Sequence, residues 1–278
     1  SNMKWRNVVA ENIIGYLPGT EYPDKYVLLT AAYDSFSFVP SLAPGAREAI
    51  GTAVMLQLAR YFASNPDLHK YTLVFIAFSG TDQGVVGSRW FVKDYIDRNW
   101  EGWGSKVMLQ MNINFNDVNK YLMPTTIAAW LYGWNEGVAP WIGNYQQWLF
   151  NTLIPDLSRK LDIPQLTFDP LLGKGWISRD MSGGGGPGHG IVYNDYLGAP
   201  IRYVNSEPLT ALGGPAFTWY DYQAFSDIYY TPFDLPDTIK WSNIEFEIKV
   251  LYPIIYATVN VDLSQLIGPV SYTHLRAH

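Results

Sequence analysis

Apolar residues along this chain fall into two kinds of pattern, unbroken runs and helically spaced sets. "YVLLTAAYD" (26–34) is a run broken only by a Thr and a Tyr, and it predicts a strand covered on both faces. "PGAREAIGTAVMLQLARYFASNP" (44–66) has helical spacing, with Val54, Leu58 and Tyr61 on one face, Pro44 and Gly45 ahead of it and Pro66 closing it. "YTLVFIAFSG" (71–80) predicts a second buried strand, "DQGVVGSRWFVKDYIDRN" (82–99) a helix, and "KVMLQMNINF" (106–115) a third strand. Such alternation implies βαβ units, and hence an α/β domain with a mainly parallel sheet and helices on both faces.

Beyond this, "TIAAWLYG" (126–133) predicts a fourth strand and "APWIGNYQQWLFNTLIPDLSRKL" (139–161) an amphipathic helix with a proline near its end. "APIRYVN" (199–205) predicts a short strand, and residues 241–263 a closing helix that Pro253 is expected to kink. "MSGGGGPGHG" (181–190) reads as a glycine-rich loop, and 206–237 as a long aromatic, proline-rich loop of the sort that carries function or an interface. Residues 271–278 read as an unstructured tail.

Composition narrows the chemistry. The 278 residues suffice for one large α/β domain, and the net charge of −6, with no Lys/Arg cluster, argues against a nucleic-acid surface. The absence of cysteine removes disulfides, thiol catalysis and thiolate zinc sites. No apolar run reaches the roughly 18–20 residues of a membrane span, and no signal peptide is recognisable at the start. Neither the glycine run nor "GVVGS" (84–88) fits a phosphate or dinucleotide fingerprint, and G-x-S-x-G is absent.

Carboxylates gather at the expected C-terminal edge of the sheet, where parallel α/β folds bind ligands. Asp34 follows the first strand, Asp82 the second, and "NIN" ends the third, while Glu48 opens the first helix. Taken singly, Glu48 and Asp82 read as charges favoured by helix N-termini. Their common edge makes them a candidate set.

In order, the motifs "NVVAENIIGYLPG", "YVLLTAAYDS", "PGAREAIGTAVMLQLAR", "FSGTDQGVVGSRWFV", "MNIN" and "YYTPFDLPD" resemble the zinc-dependent aminopeptidase family. That family shares one three-layer α/β/α fold, with a mixed, mainly parallel central sheet, among bacterial leucyl aminopeptidase, glutaminyl cyclase, the transferrin receptor ectodomain and nicastrin. The resemblance is closest over residues 7–115 and poor over 116–225. It implies one peptidase-like domain over residues 1–270, excised from a longer protein.

Active members hold two zinc ions with His and carboxylate ligands, and a separate Glu is the general base. On this chain the resemblance places Ala32 and Asp34 where the family has His-x-Asp, and Glu48 where it has the bridging Asp. Thr81 and Asp82 replace the paired glutamates, Asn114 the third-strand Asp, and Tyr230 the final His. No histidine ligand remains among these positions, and Thr81 cannot take a proton near neutral pH. His189, in the glycine loop, is a possible pocket residue; His69 reads as part of a charged turn.

The resemblance therefore implies a catalytically inactive member without zinc or other cofactor, serving as a protein or peptide recognition or scaffold domain. The nicastrin-like stretch "DSFSFVPSLAPGAREAI" further implies an extracytoplasmic position on a membrane-anchored parent, which would supply the only membrane contact. Two other readings stay open. One is a metal-dependent aminopeptidase or hydrolase rebuilt on Glu48, Asp82, Asp34 and His189, with Ca²⁺ or Mg²⁺ as the hard-ligand candidates. The other is a carbohydrate- or lipid-facing module using the aromatic stretch 217–230, with Trp219, Tyr222 and Tyr230 exposed.

Overall fold

The structure is a computed structural model and describes residues 7–118, 122–125, 144–145, 147–162, 167–168, 177–178, 204–221 and 226–268. The predicted fourth strand at 126–133, the glycine loop with His189, Tyr222 and the tail lie outside these residues, as do most of the predicted strand at 199–205 and the first residues of the helix predicted at 139–161.

The strands are β1 (Ile13–Leu17), β2 (Tyr22–Ala32), β3 (Tyr71–Phe78), β4 (Val107–Asn114), β5 (Leu122–Thr125), β6 (Thr167–Phe168), β7 (Ile177–Ser178) and β8 (Ala216–Asp221). They form one sheet in the order β1-β3-β2-β4-β8-β5-β7-β6. Its centre is parallel: β2 lies between β3 and β4, and β4 pairs with β8. The pairings of β1 with β3 and of β5 with β8 are antiparallel.

Both faces are covered, so the sheet is the middle layer of an α/β/α sandwich. Leu29, Ala31, Met111, Ile113, Phe217 and Trp219 face one core, shared with helices α1 (Glu48–Ser64) and α5 (Trp241–Thr258). Leu28, Val74, Ile76, Phe78 and Ala216 face the other. That core is closed by α2 (Val86–Phe91), its π-helical continuation Val92–Asp97, and α4 (Glu207–Ala211). Alternate residues of each central strand serve opposite layers, which is why these strands read as unbroken apolar runs. Helix α3 (Ile154–Lys160) follows π-helical turns at Leu149–Leu153, and α6 (Leu263–Ile267) follows α5.

Several expected elements shift. The apolar face of α1 is Ile50, Val54, Met55, Leu58 and Phe62, whereas Tyr61 is 41% exposed; the two adjacent aromatics made the face ambiguous. Gly51 brings α1 close to the sheet, since a Cβ there would lie 2.4 Å from the Ile113 carbonyl oxygen. Helix α2 begins at Val86 rather than at 82, because residues 79–85 form a loop at the site. His69 lies in the turn ahead of β3 but is buried; its Nδ1 lies 2.9 Å from the Tyr71 carbonyl oxygen and its ring meets Phe62 edge-on.

Within 206–237, read from sequence as one long loop, the chain forms α4 and β8. Trp219 is fully buried on β8 with its ring against Phe217. The aromatic stretch therefore supplies core here, and the exposed-aromatic basis for a carbohydrate- or lipid-facing module is lost at Trp219.

Candidate functional site

The C-terminal ends of the parallel strands and the loops that leave them enclose one small pocket. Ala32 ends β2 and Asn114 ends β4; Asp34, Thr81 and Asp82 come from the loops after β2 and β3; Glu48 opens α1. Tyr230 joins them from the loop ahead of α5, so all seven positions singled out by sequence line the same pocket. His189 is outside the described residues. The centre of a water molecule can range over about 20 Å³ inside it.

Each carboxylate has a distinct partner. Asp34 Oδ2 accepts the Thr81 N–H at 3.0 Å. Burial pushes the Asp34 carboxyl above its ordinary range against the opposing pull of the Thr81 hydrogen bond, and the nearby Asp82 charge pushes the same way as burial. Glu48 accepts the Phe36 N–H at 3.2 Å, tying the loop after β2 to the start of α1. Asp82 accepts the Tyr230 hydroxyl at 2.7 Å. Asp82 thus faces a tyrosine and lies four residues ahead of α2, so the helix-capping role that its sequence position suggested does not describe it.

Tyr230 is held in an unusual way. Its φ is +64°, the left-handed region that a tyrosine rarely adopts. Its carbonyl accepts the Phe38 N–H at 2.8 Å, and its ring meets Phe36 edge-on at 5.3 Å. Val85, with φ +52°, is a second left-handed residue, at the end of the loop carrying Thr81 and Asp82. Its N–H bonds the Thr81 carbonyl at 2.9 Å. Two strained positions on site loops persist only where surrounding contacts fix them.

Sequence reasoning missed two groups of site residues. The first is a buried ion triad around Arg47, which is 3% exposed. Its guanidinium contacts Asp234 at 2.7 Å and Asp117 at 2.5 Å, and it also donates to the Thr238 carbonyl at 2.8 Å. Arg47 precedes Glu48, and Asp234 shares the loop of Tyr230, so the triad sets the spacing of two pocket walls. Asp117 also accepts the Lys240 N–H at 2.6 Å, linking the loop after β4 to the approach to α5.

The second group is a buried polar ladder beneath the pocket. Gln110 donates to Thr30 at 3.1 Å, Thr30 to Asn112 at 3.1 Å, and Asn112 to Thr218 at 3.2 Å, whose hydroxyl meets Ser206 at 2.7 Å. Gln110 also donates to the Asn205 carbonyl at 3.0 Å, which fixes the pocket's remaining wall. Asn205 is 2% exposed and donates to Thr81 Oγ1 at 3.1 Å. Its own Oδ1 and Asp34 Oδ1 are buried without a hydrogen-bond partner. No sequence signal distinguished Asn205; the ladder itself is foreshadowed only by the polar residues interrupting the runs of β2 and β4.

The donor set sets limits on metal chemistry. Alanine, threonine and a tyrosine already bonded to Asp82 stand among the candidate positions, where a zinc centre needs histidine or carboxylate ligands. Among the described residues no group of three or more His, Cys, Asp or Glu side chains is placed to hold a metal ion. The described lining does not fit a two-zinc centre.

Comparison with known proteins agrees with the fold. Residues 12–130 match peptidase family M28. A probable zinc metalloprotease of Pyrenophora tritici-repentis is 42% identical over 88 residues, 30% of this chain and 20% of that protein. Human transferrin receptor protein 2 is 37% identical over 89 residues, 31% of this chain and 10% of the receptor. Among solved structures, the zinc aminopeptidase BSAP of Bacillus subtilis aligns with a TM-score of 0.55 at 20% identity, over 94% of this chain and 53% of that one. Macrostomum lignano glutaminyl cyclase aligns with a TM-score of 0.58 at 14% identity, over 89% of this chain and 71% of that one. The matched part of the chain thus spans a fifth or less of these curated relatives. The structural likenesses establish the aminopeptidase fold.

Proposed function

We propose that this chain, whose residues 12–130 are peptidase M28 sequence, is a catalytically inactive aminopeptidase-like domain that recognises a protein or peptide partner. The observation that carries the reading is the hydrogen bond from Tyr230 to Asp82 inside the pocket. It occupies one of the pocket's three carboxylates with a phenol hydroxyl. Hydrolysis of a peptide bond needs an activated water and a group to take its proton. Thr81, at the position the resemblance gives to the base, instead donates its N–H to Asp34 and receives the Asn205 amide.

Zinc, where relatives of this fold bind it, would supply a Lewis acid and an activated water. The side chains at this pocket give no basis for routing a reaction through it. An extracytoplasmic place on a membrane-anchored parent is part of the same proposal; no described helix is long and apolar enough to cross a membrane.

The test is metal content by elemental analysis of protein purified without chelator, followed by zinc titration calorimetry and an aminopeptidase assay on leucyl-p-nitroanilide. The expected result is no stoichiometric zinc, no binding heat and no chelator-sensitive hydrolysis. Stoichiometric metal with activity abolished by chelator would instead establish the rebuilt hydrolase, which the convergence of Asp34, Glu48 and Asp82 on one pocket favours as the second reading.

A further inference from the structure

We propose that strand β1 pairs with β1 of a second copy of this chain, antiparallel across a twofold axis at Gly15. The inference stands apart from the pocket and from the recognition reading above. Strand β1 ends the sheet and is bonded to β3 on one side; no described strand pairs with its other side. An antiparallel ladder engages alternate residues, so the N–H and C=O groups of the others point away from β3. Such an edge is a template for a further strand.

Proteins guard edges of this kind with a charged side chain, a proline or a bulge. Residues 13–17, "IIGYL", carry no charge and no proline, and their pairs with β3 run in unbroken register. Ile13 is 61% exposed and Tyr16 70%. The central glycine has no reason inside its own chain. Gly15 is not among the left-handed glycines, and a Cβ there would meet nothing within 4 Å. Glycine weakens a strand interior, and where no bulge or bend calls for it, it marks a place that another backbone approaches closely.

The strand's own pattern selects a second copy as the occupant. With Gly15 opposite the second copy's Gly15, Ile13 falls opposite Leu17 and Ile14 opposite Tyr16. Ile13, Gly15 and Leu17 share the face on which Leu17 packs against the α1 core, and Ile14 and Tyr16 share the face on which Ile14 packs against the other core. The cross-strand pairs are thus aliphatic on one face and aliphatic with aromatic on the other, both favourable. In each pair the exposed residue, Ile13 or Tyr16, covers a half-buried one, Leu17 or Ile14, so each copy extends the other's core. Beyond the strand, Glu11 falls opposite Gly19 and Asn12 opposite Pro18, so no like charges meet. Every pair joins residues of the same parity, and the match therefore holds for either set of outward-facing residues.

The experiment is sedimentation velocity of the whole chain from micromolar to submillimolar concentration, with two variants at the axis. The expected result is a reversible monomer–dimer equilibrium. G15K sets like charges opposite each other while its Cβ meets nothing in its own chain. It is expected to weaken dimerisation by more than about tenfold, with an unchanged thermal midpoint at concentrations where the wild type is monomeric. The chain has no cysteine, so G15C reports the register directly. Residues opposite one another on antiparallel strands lie about 4.5–5.5 Å apart between Cα atoms, within disulfide reach. G15C is expected to form a disulfide-linked dimer on mild oxidation, whereas V9C, at a 92% exposed position farther from the axis, is not.

A monomer across the whole range, a dimer that folded G15K leaves unchanged, or G15C cross-linking no faster than V9C would overturn the proposal. A monomer whose β1 amides gain exchange protection only when another protein is added would assign the edge to that partner and overturn it as well.

Discussion

Replacing Arg47 by Met tests whether the pocket's frame depends on one buried cation. Arg47, Asp117 and Asp234 are each 3% exposed or less, so the substitution leaves two carboxylates buried without their countercharge. It also removes the donors to Thr238. Breaking a buried pair from one side costs about 3–5 kcal/mol. For a domain of this size that is a fall in Tm of roughly 10 °C. The cost is expected to come from the stranded charges more than from lost packing, since Met fills much of the arginine stem volume. R47M/D117N/D234N, which keeps acceptors for the Arg47 and Lys240 N–H groups, is therefore expected to regain most of the loss. The assay is urea denaturation of the wild type and both variants at neutral pH. A single-variant loss under about 1 kcal/mol, or a triple variant no more stable than the single, would refute the reasoning.

Further outcomes follow from the same contacts. The Asp34 carboxyl is held above its ordinary value of 3.8 by burial, so the native state favours its protonated form. Its contribution to stability is present at acid pH and is lost as pH rises through the folded-state value. D34N is accordingly expected to raise Tm at pH 7 and to show a shrinking advantage toward pH 3.5, and a gap independent of pH would contradict this. Y230F removes the donor to Asp82 and is expected to cost about 1–2 kcal/mol in chemical denaturation; no loss would show that the phenol does not hold the pocket closed. G51A places a methyl 2.4 Å from the Ile113 carbonyl oxygen. It is expected to cost about 1–3 kcal/mol by pushing α1 off the sheet, and an unchanged midpoint would show that the helix shifts without cost.

The central strands were legible because a strand covered on both faces must be apolar at every position, and β2, β3 and β4 carry that pattern nearly undisturbed. Strand β8 was not legible. Its apolar partners of the core, Phe217 and Trp219, alternate with Thr218, whose hydroxyl joins the polar ladder, and the stretch lies among prolines and glycines. The pocket's edge could be read from strand order, and the seven positions drawn from the resemblance do line it. What each residue does there was not legible. Asp82 sits near a helix start in sequence, but its partner Tyr230 is 148 residues away. Arg47 carried no signal in the sequence, since its partners lie 70 and 187 positions away. Asn205 carries no pattern at all; only the fold shows it buried, with one acceptor unpaired.

The contacts around the pocket tie its loops directly to one another. The loop after β2 is tied to α1 through Phe36 and Glu48, and to the loop of Tyr230 through Phe38. The loop after β3 is tied to the first of these by Thr81 and Asp34, and to Tyr230 by Asp82. Behind them the Arg47 triad joins the end of the loop after β2 to the loop of Tyr230 and to the loop after β4. Among the pocket's lining residues, this cross-linking leaves Asp34 Oδ1 and Asn205 Oδ1 buried without a hydrogen bond. A site optimised for stability alone would have lost the Asp34 charge, because burial disfavours it and no cation offsets it among the described lining residues. If D34N stabilises the fold at pH 7, the carboxylate is retained at a cost in stability; if it destabilises the fold, the bond from the Thr81 N–H needs the charged acceptor.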